Sequence, residues 1–173
     1  MTTMTTYTQK CFDPMQIQED DIDIRDIAHA LSLICRGNGH IPYFYSVGQH
    51  SINAFLEARE RNHPKNVQLA CLLHDASEAY LNDCIRPIKM HLPDYQAIEK
   101  NILHTIFSKY KIQLTKEEQI QVKAIDNALL QYDLNHLLYQ ETSYDLKTRP
   151  DISEKNYRDV EQQFLTFFNE IRN

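Results

Sequence analysis

The chain is poor in the residues that punctuate β-rich folds, with three glycines and six prolines in 173 residues. An all-β protein needs many tight turns, so this scarcity argues against one. No apolar run reaches membrane-spanning length, and the opening MTTMTTYTQK has no hydrophobic region. Neither a spanning helix nor a signal peptide is therefore expected, and the expected location is cytoplasmic. Positive charge is in deficit as well. With 18 Lys and Arg against 24 Asp and Glu, the net charge of −6 argues against nucleic-acid binding, which calls for a basic surface. The four cysteines, Cys11, Cys35, Cys71 and Cys84, include no Cys-x-x-Cys pair. A zinc knuckle or a disulfide framework is not expected, and Cys35 and Cys71, set in apolar stretches, read as buried thiols.

What the sequence does contain is apolar residues at helical spacing, in a length that suits one domain. Residues 1–8, rich in threonine, read as a disordered tail, and 9–173 as a single domain. The first helix is expected over 23–35, with Ile24, Ile27, Leu31 and Ile34 on one face and Gly37 as its C-terminal cap. Ser46 and Gln49 form a capping box that starts a second helix, with Ile52, Phe55 and Leu56 facing inward. A third helix opens near Pro64 and is apolar nearly all round through Leu73, which predicts the central buried helix. Further helices are expected over 93–110, from the Thr115/Glu118 capping box past Asp126, and along the stripe Tyr157, Val160, Phe164, Phe167 and Ile171. The fold class is thus all-α, a bundle of about six principal helices.

The chemistry centres on His74-Asp75, which directly follows that third apolar run. Burying a carboxylate there costs several kcal/mol, on the order of those measured for unpaired buried charges, unless a cation or hydrogen-bond donors compensate it. An isolated His-Asp dipeptide means little in a chain with eight histidines. Its surroundings add weight. On a continuous helix Glu78 would share a face with His74 and Asp75, leaving a carboxylate at hand for proton transfer. His50 lies in the first turns of the second helix, and Asp126 follows an apolar residue on the fifth. Two histidines and two aspartates make a nitrogen and oxygen donor set that suits one divalent transition ion, whether zinc, manganese, cobalt, iron or nickel. Asp133, two turns after Asp126, reads as an ion-pair partner, and His29 as a core or supporting histidine. Tyr43 and Tyr45 read as core first and base-stacking candidates second.

Several segments together resemble the HD-domain phosphohydrolases, and within them a small 5′-deoxynucleotidase-like branch. They are Tyr7-Thr-Gln-Lys-Cys-Phe-Asp-Pro14, Asp23-Ile-Arg-Asp-Ile-Ala-His-Ala-Leu-Ser32, Phe44-Tyr-Ser-Val-Gly-Gln-His-Ser51, Leu72-Leu-His-Asp-Ala-Ser-Glu-Ala-Tyr-Leu81, Arg86-Pro-Ile-Lys89 and Asp126. The family's H…HD…D signature falls on His50, His74, Asp75 and Asp126, which the resemblance implies are metal ligands in an HD-type bundle. It further implies that Glu78 is the catalytic carboxylate acting on the attacking water and that Asp83 is a second acidic group near the scissile phosphate. Arg36 and Lys89 match phosphate-binding cations. Two departures stand out: Gly37-Asn-Gly-His40 follows Arg36 where many relatives carry an aromatic residue beside the base, and Asn82 stands where glycine is commoner.

The expected activity is hydrolysis of a (deoxy)nucleotide phosphate ester, first as a 5′-deoxynucleotidase releasing phosphate from dNMPs. The alternatives are a dNTP triphosphohydrolase, such as a dATPase, releasing triphosphate, and a non-catalytic nucleotide-binding module. Further magnesium or manganese would accompany the substrate phosphates. The expected partner is a small nucleotide, with neither nucleic acid nor membrane, and a homo-oligomer, dimer or higher, is expected.

Overall fold

A computed structural model describes residues 2–172 as an all-α bundle with one small hairpin. Strands β1 (Met4–Thr5) and β2 (Cys11–Phe12) pair antiparallel ahead of eight helices. Six helices are principal: α1 (Ile24–Leu33), α2 (Val47–Glu60), α3 (Lys65–Leu73), α6 (Pro93–Lys109), α7 (Lys116–Leu137) and α8 (Tyr157–Arg172). Between α3 and α6 lie two single turns, α4 (Glu78–Leu81) and α5 (Arg86–Lys89). Among the described residues, no helix is long and apolar enough to cross a membrane.

The capping boxes act as their sequence predicts. Ser46 Oγ accepts the Gln49 N–H at 3.1 Å while Gln49 Oε1 accepts the Ser46 N–H at 3.2 Å, and Thr115 and Glu118 do the same for α7. Each box satisfies amide groups that have no carbonyl partner within the helix. Gly37 is not the cap of α1. That helix closes at Ile34, in extended conformation, and Gly37 instead lies in a tight turn over 36–39 with φ of +61°.

The N-terminal residues correct the expectation of a disordered tail. Thr8 donates its backbone N–H to Asp26 Oδ1 at 2.6 Å and its hydroxyl to Asp26 Oδ2 at 2.8 Å, and Asp26 is buried on α1. Tyr7 stacks on His29, also from α1, at 3.8 Å between ring centres. A buried carboxylate needs donors, and this segment supplies them, so the fold begins ahead of residue 9.

The central helix is α2 rather than α3. It packs against α1, α3, α7 and α8 and is buried through most of its length. Its sequence hides this because Gln49, Asn53 and Glu57 recur every four residues as a polar stripe. That stripe meets an irregular segment instead of water. Gln49 Nε2 donates to the Ser153 carbonyl at 2.9 Å, Asn53 exchanges hydrogen bonds with the Asp151 backbone, and Glu57 accepts the amides of Lys147 and Thr148 at 2.9 and 2.8 Å. The stripe thus satisfies the backbone of a connection with no regular structure of its own. Gly48, at the start of α2, permits close packing: a Cβ there would come 3.1 Å from Val160 Cγ1 and 3.2 Å from the Leu31 carbonyl. Phe164 and Phe168 of α8 are buried in the main core, and Phe167 stacks on Phe55 at 4.9 Å. All four cysteines are free. Cys71 is buried as expected, whereas Cys35 lies past the end of α1 and is half-buried, paired through its backbone with Ser46.

Candidate metal centre

The helices bring His50, His74 and Asp75 together, each with a ligand atom within 4.8 Å of the others, and these three could hold a metal ion. His50 comes from the first turn of α2, while His74 and Asp75 come from the end of α3. Asp126 of α7 joins them: its Oδ1 lies 3.4 Å from His50 Nε2 and 3.6 Å from His74 Nε2.

Each imidazole is anchored on its far side. His74 Nδ1 lies 2.7 Å from the Cys71 carbonyl, and His50 Nδ1 lies 3.3 Å from Asp133 Oδ2. A carbonyl and a carboxylate can only accept, so both Nδ1 atoms carry the proton and both Nε2 atoms face the cluster. Those Nε2 atoms are buried and have no hydrogen-bond partner among the described residues. Carboxylate oxygens stand close, as with His74 Nε2 and Asp75 Oδ2 at 3.2 Å, but not aligned as hydrogen bonds. Two imidazole nitrogens with Asp75 and Asp126 beside them, each histidine held from behind, are a donor set that fits a divalent ion once the rings are neutral.

The electrostatics agree with that fit. Against the burial that disfavours its charge, the Asp75 and Asp126 carboxylates hold the His74 imidazole well above its ordinary value of 6.5. Burial likewise works against the charge on Asp75 and Asp126, yet the two histidines keep both carboxyls well below the usual range. Positive charge is thus favoured at the centre of the cluster. Glu78 moves the opposite way: burial, then the charges of Asp75 and Asp83, push its carboxyl up to about 10.

Glu78 does not reach its place along a continuous helix. After Leu73 the chain passes through tight turns, with the Ala76 N–H bonding to the Leu73 carbonyl and the Glu78 N–H to the Asp75 carbonyl, each at 3.0 Å, before α4 begins at Glu78. Glu78 is 4% exposed, and its Oε2 is buried without a hydrogen-bond partner. At the end of α4 Asn82 takes φ of +70° and ψ of 163°, a region that glycine enters freely and residues with a side chain rarely do. Asn82 thereby makes the turn for which glycine would be the usual choice.

Arg36, Asp83 and Lys89 surround the cluster, and each is already engaged. Arg36 Nη1 lies 3.4 Å from Asp75 Oδ2 and its Nε 3.5 Å from Asp133 Oδ2, and these carboxylates outweigh burial in raising its pKa. One Asp83 oxygen accepts the Gly37 N–H at 2.8 Å, tying the segment that follows α4 to the turn that carries Arg36. Lys89 pairs with Glu99 of α6 at 2.6 Å. Reasoning from the sequence missed Glu99, as well as Lys123 and Arg86, whose side chains lie 2.6 and 3.9 Å from Asp126 Oδ2. The three-residue step from Lys123 to Asp126 was the available signal. Of the other histidines, His29 pairs with Glu161 of α8 at 3.0 Å, while His40, His91, His104 and His136 are exposed and His63 is half-buried. Tyr45 is fully buried with its hydroxyl bonded to Asn53, a core role, and Tyr43 is half-buried.

No family model matches the chain. Over 110 residues it is 41% identical to YfdR of Escherichia coli K12, an uncharacterized protein, a match that covers 64% of this chain and 59% of that one. Over 74 residues it is 45% identical to an uncharacterized protein of Rhodobacter capsulatus, covering 40% of this chain and 37% of that relative. Each match thus spans less than two thirds of the relative's length.

Proposed function

We propose that the chain is a metal-dependent phosphohydrolase of the HD type, acting on nucleotide phosphate esters, with His50, His74, Asp75 and Asp126 as the ligands of one divalent transition ion. The observation that carries this reading is the pair of buried Nε2 atoms, without hydrogen-bond partners, facing Asp75 and Asp126. When bound, such an ion supplies Lewis acidity to water and to a phosphoryl oxygen.

The chain's own residues do the rest. Asp75 and Asp126 offset the charge of the ion, and the Cys71 carbonyl and Asp133 hold the imidazoles in the ligating tautomer. Glu78, one short turn beyond Asp75 and buried, would take a proton from the attacking water, and a divalent ion held by the ligands would favour its ionised form. Arg36 can offer two N–H groups to phosphate oxygens, and Lys89 a point charge, as negative charge builds on the phosphoryl group. Asp83 supports this by anchoring the Gly37 amide beside Arg36, and its second oxygen remains to serve water or the leaving group.

The first substrate class is deoxynucleoside monophosphate, with release of phosphate. A triphosphohydrolase is the second reading, favoured by Arg86, which adds a second cation to Lys89 on α5. Purified protein incubated with a chelator tests the metal requirement. Activity is expected to vanish and to return on adding manganese or cobalt, and His74→Ala is expected to lose both metal and turnover. Full turnover after complete removal of metal rules the reading out.

A further inference from the structure

Asp133 belongs to no part of the ligand set, yet it touches both halves of the proposed machinery. One carboxylate oxygen, Oδ2, lies 3.3 Å from His50 Nδ1 and 3.5 Å from Arg36 Nε. Its other oxygen, Oδ1, is buried without a hydrogen-bond partner, so the side chain is not simply satisfying itself at the surface. Asp133 is 7% exposed and sits two turns beyond Asp126 on α7. The same helix therefore presents one aspartate to the front of the His50 ring and another to its back.

We infer that Asp133 is a positioning residue that sets the His50 tautomer and aims the Arg36 guanidinium through one shared oxygen, coupling metal affinity to phosphate binding. The inference rests on the proposed metal and phosphate roles of His50 and Arg36. Because the carboxylate only accepts, it fixes the His50 proton on Nδ1 and leaves Nε2 free for a ligand bond. Because Arg36 also reaches Asp75 at 3.4 Å, the guanidinium is gripped between a carboxylate of the cluster and one behind it. Without Asp133, His50 is free to adopt the other tautomer and Arg36 is held by Asp75 alone.

The test is Asp133→Asn in the full chain, with cobalt titrated by competition against a chromogenic chelator and with KM and kcat measured separately. The expected result is a roughly 10- to 100-fold loss of cobalt affinity. A raised KM for the nucleotide at saturating metal is expected with it, while the circular dichroism spectrum stays unchanged. A purely structural aspartate would lower the melting temperature and leave cobalt affinity and KM alone, and that result overturns the inference. Should Asp133→Asn fail to fold, 15N-histidine NMR of the zinc-loaded wild type decides instead. His50 is expected as the Nδ1–H tautomer with a slowly exchanging proton, and an Nε2–H tautomer contradicts it. The cobalt titration needs no substrate. Metal bound without nucleotide hydrolysis by the wild type therefore defeats only the proposed activity, equal cobalt affinity in wild type and variant defeats only the coupling, and a wild type that binds no metal defeats both.

Discussion

His74 Nε2 lies 3.2 Å from Asp75 Oδ2, its neighbour in sequence, without the alignment of a hydrogen bond. The proximity without a bond is explained if both atoms face a third party. In the absence of a cation, a proton on His74 serves the Asp75 and Asp126 charges, which is why they outweigh burial and hold the imidazole above its ordinary value. A metal bound at this cluster would have to displace that proton.

Metal affinity is therefore expected to rise with pH. Ligation requires neutral His74, and the ion-free protein keeps the ring charged to well above pH 6.5. Each proton released contributes up to about a tenfold gain in apparent affinity per pH unit. Calorimetric titration with cobalt in two buffers of different ionisation heat, at pH 6 and pH 7.5, measures both slope and proton release. An affinity that is flat over that range would show that His74 is not a ligand.

Glu78→Gln removes the proposed proton acceptor and keeps the shape. Turnover is expected to fall by roughly 10²- to 10⁴-fold, the usual worth of a positioned general base, with metal content unchanged. Metal analysis beside a steady-state assay separates this from loss of the site, and turnover near wild type would remove Glu78 from the mechanism.

The Glu57 contacts predict a stability effect remote from the chemistry. Burial opposes its charge, but the Thr148 hydroxyl and the Lys147 and Thr148 amides hold the carboxyl below its ordinary value of 4.5. The depressed value means that the stabilisation is complete above about pH 4.5 and fades as pH falls further. Glu57→Ala strands these donors and is expected to cost about 3 kcal/mol at neutral pH. Urea melts at pH 7 and pH 4 check it, the difference between variant and wild type narrowing at the lower pH.

Asp26→Ala is expected to release the N-terminal hairpin, which the two Thr8 hydrogen bonds tie to α1. The loss of two bonds to a charged acceptor is worth about 2 to 4 kcal/mol in that local anchorage. Limited proteolysis should cut within residues 2–12 faster in the variant than in the wild type, and equal rates would mean that the hairpin is held elsewhere.

Local rules carry far in this chain where the signal is local. Ser46 with Gln49, and Thr115 with Glu118, mark helix starts because both halves of each box lie within one turn. His74 and Asp75 stand out because they directly follow an apolar run, and the fold sets them beside His50 in a cluster that could hold an ion. What stays hidden depends on distant partners. Glu57 reads as an exposed helix residue until Thr148, from an irregular stretch, supplies its donors. Thr8 reads as tail until Asp26 is seen buried. Periodicity across His74, Asp75 and Glu78 suggests one continuous helix, although the chain turns tightly after Leu73 to deliver Glu78. Likewise Gly37 resembles a helix cap by position, yet its left-handed backbone serves the turn behind Arg36.

The most direct test of the account is a panel of dNMPs, dNTPs and ribonucleotides incubated with protein loaded with manganese, cobalt, zinc or magnesium, with phosphate and triphosphate resolved as products and Asp75→Ala as control. The account predicts hydrolysis of at least one nucleotide class that needs the metal and disappears in Asp75→Ala. Metal-loaded wild-type protein that leaves every nucleotide intact would contradict it.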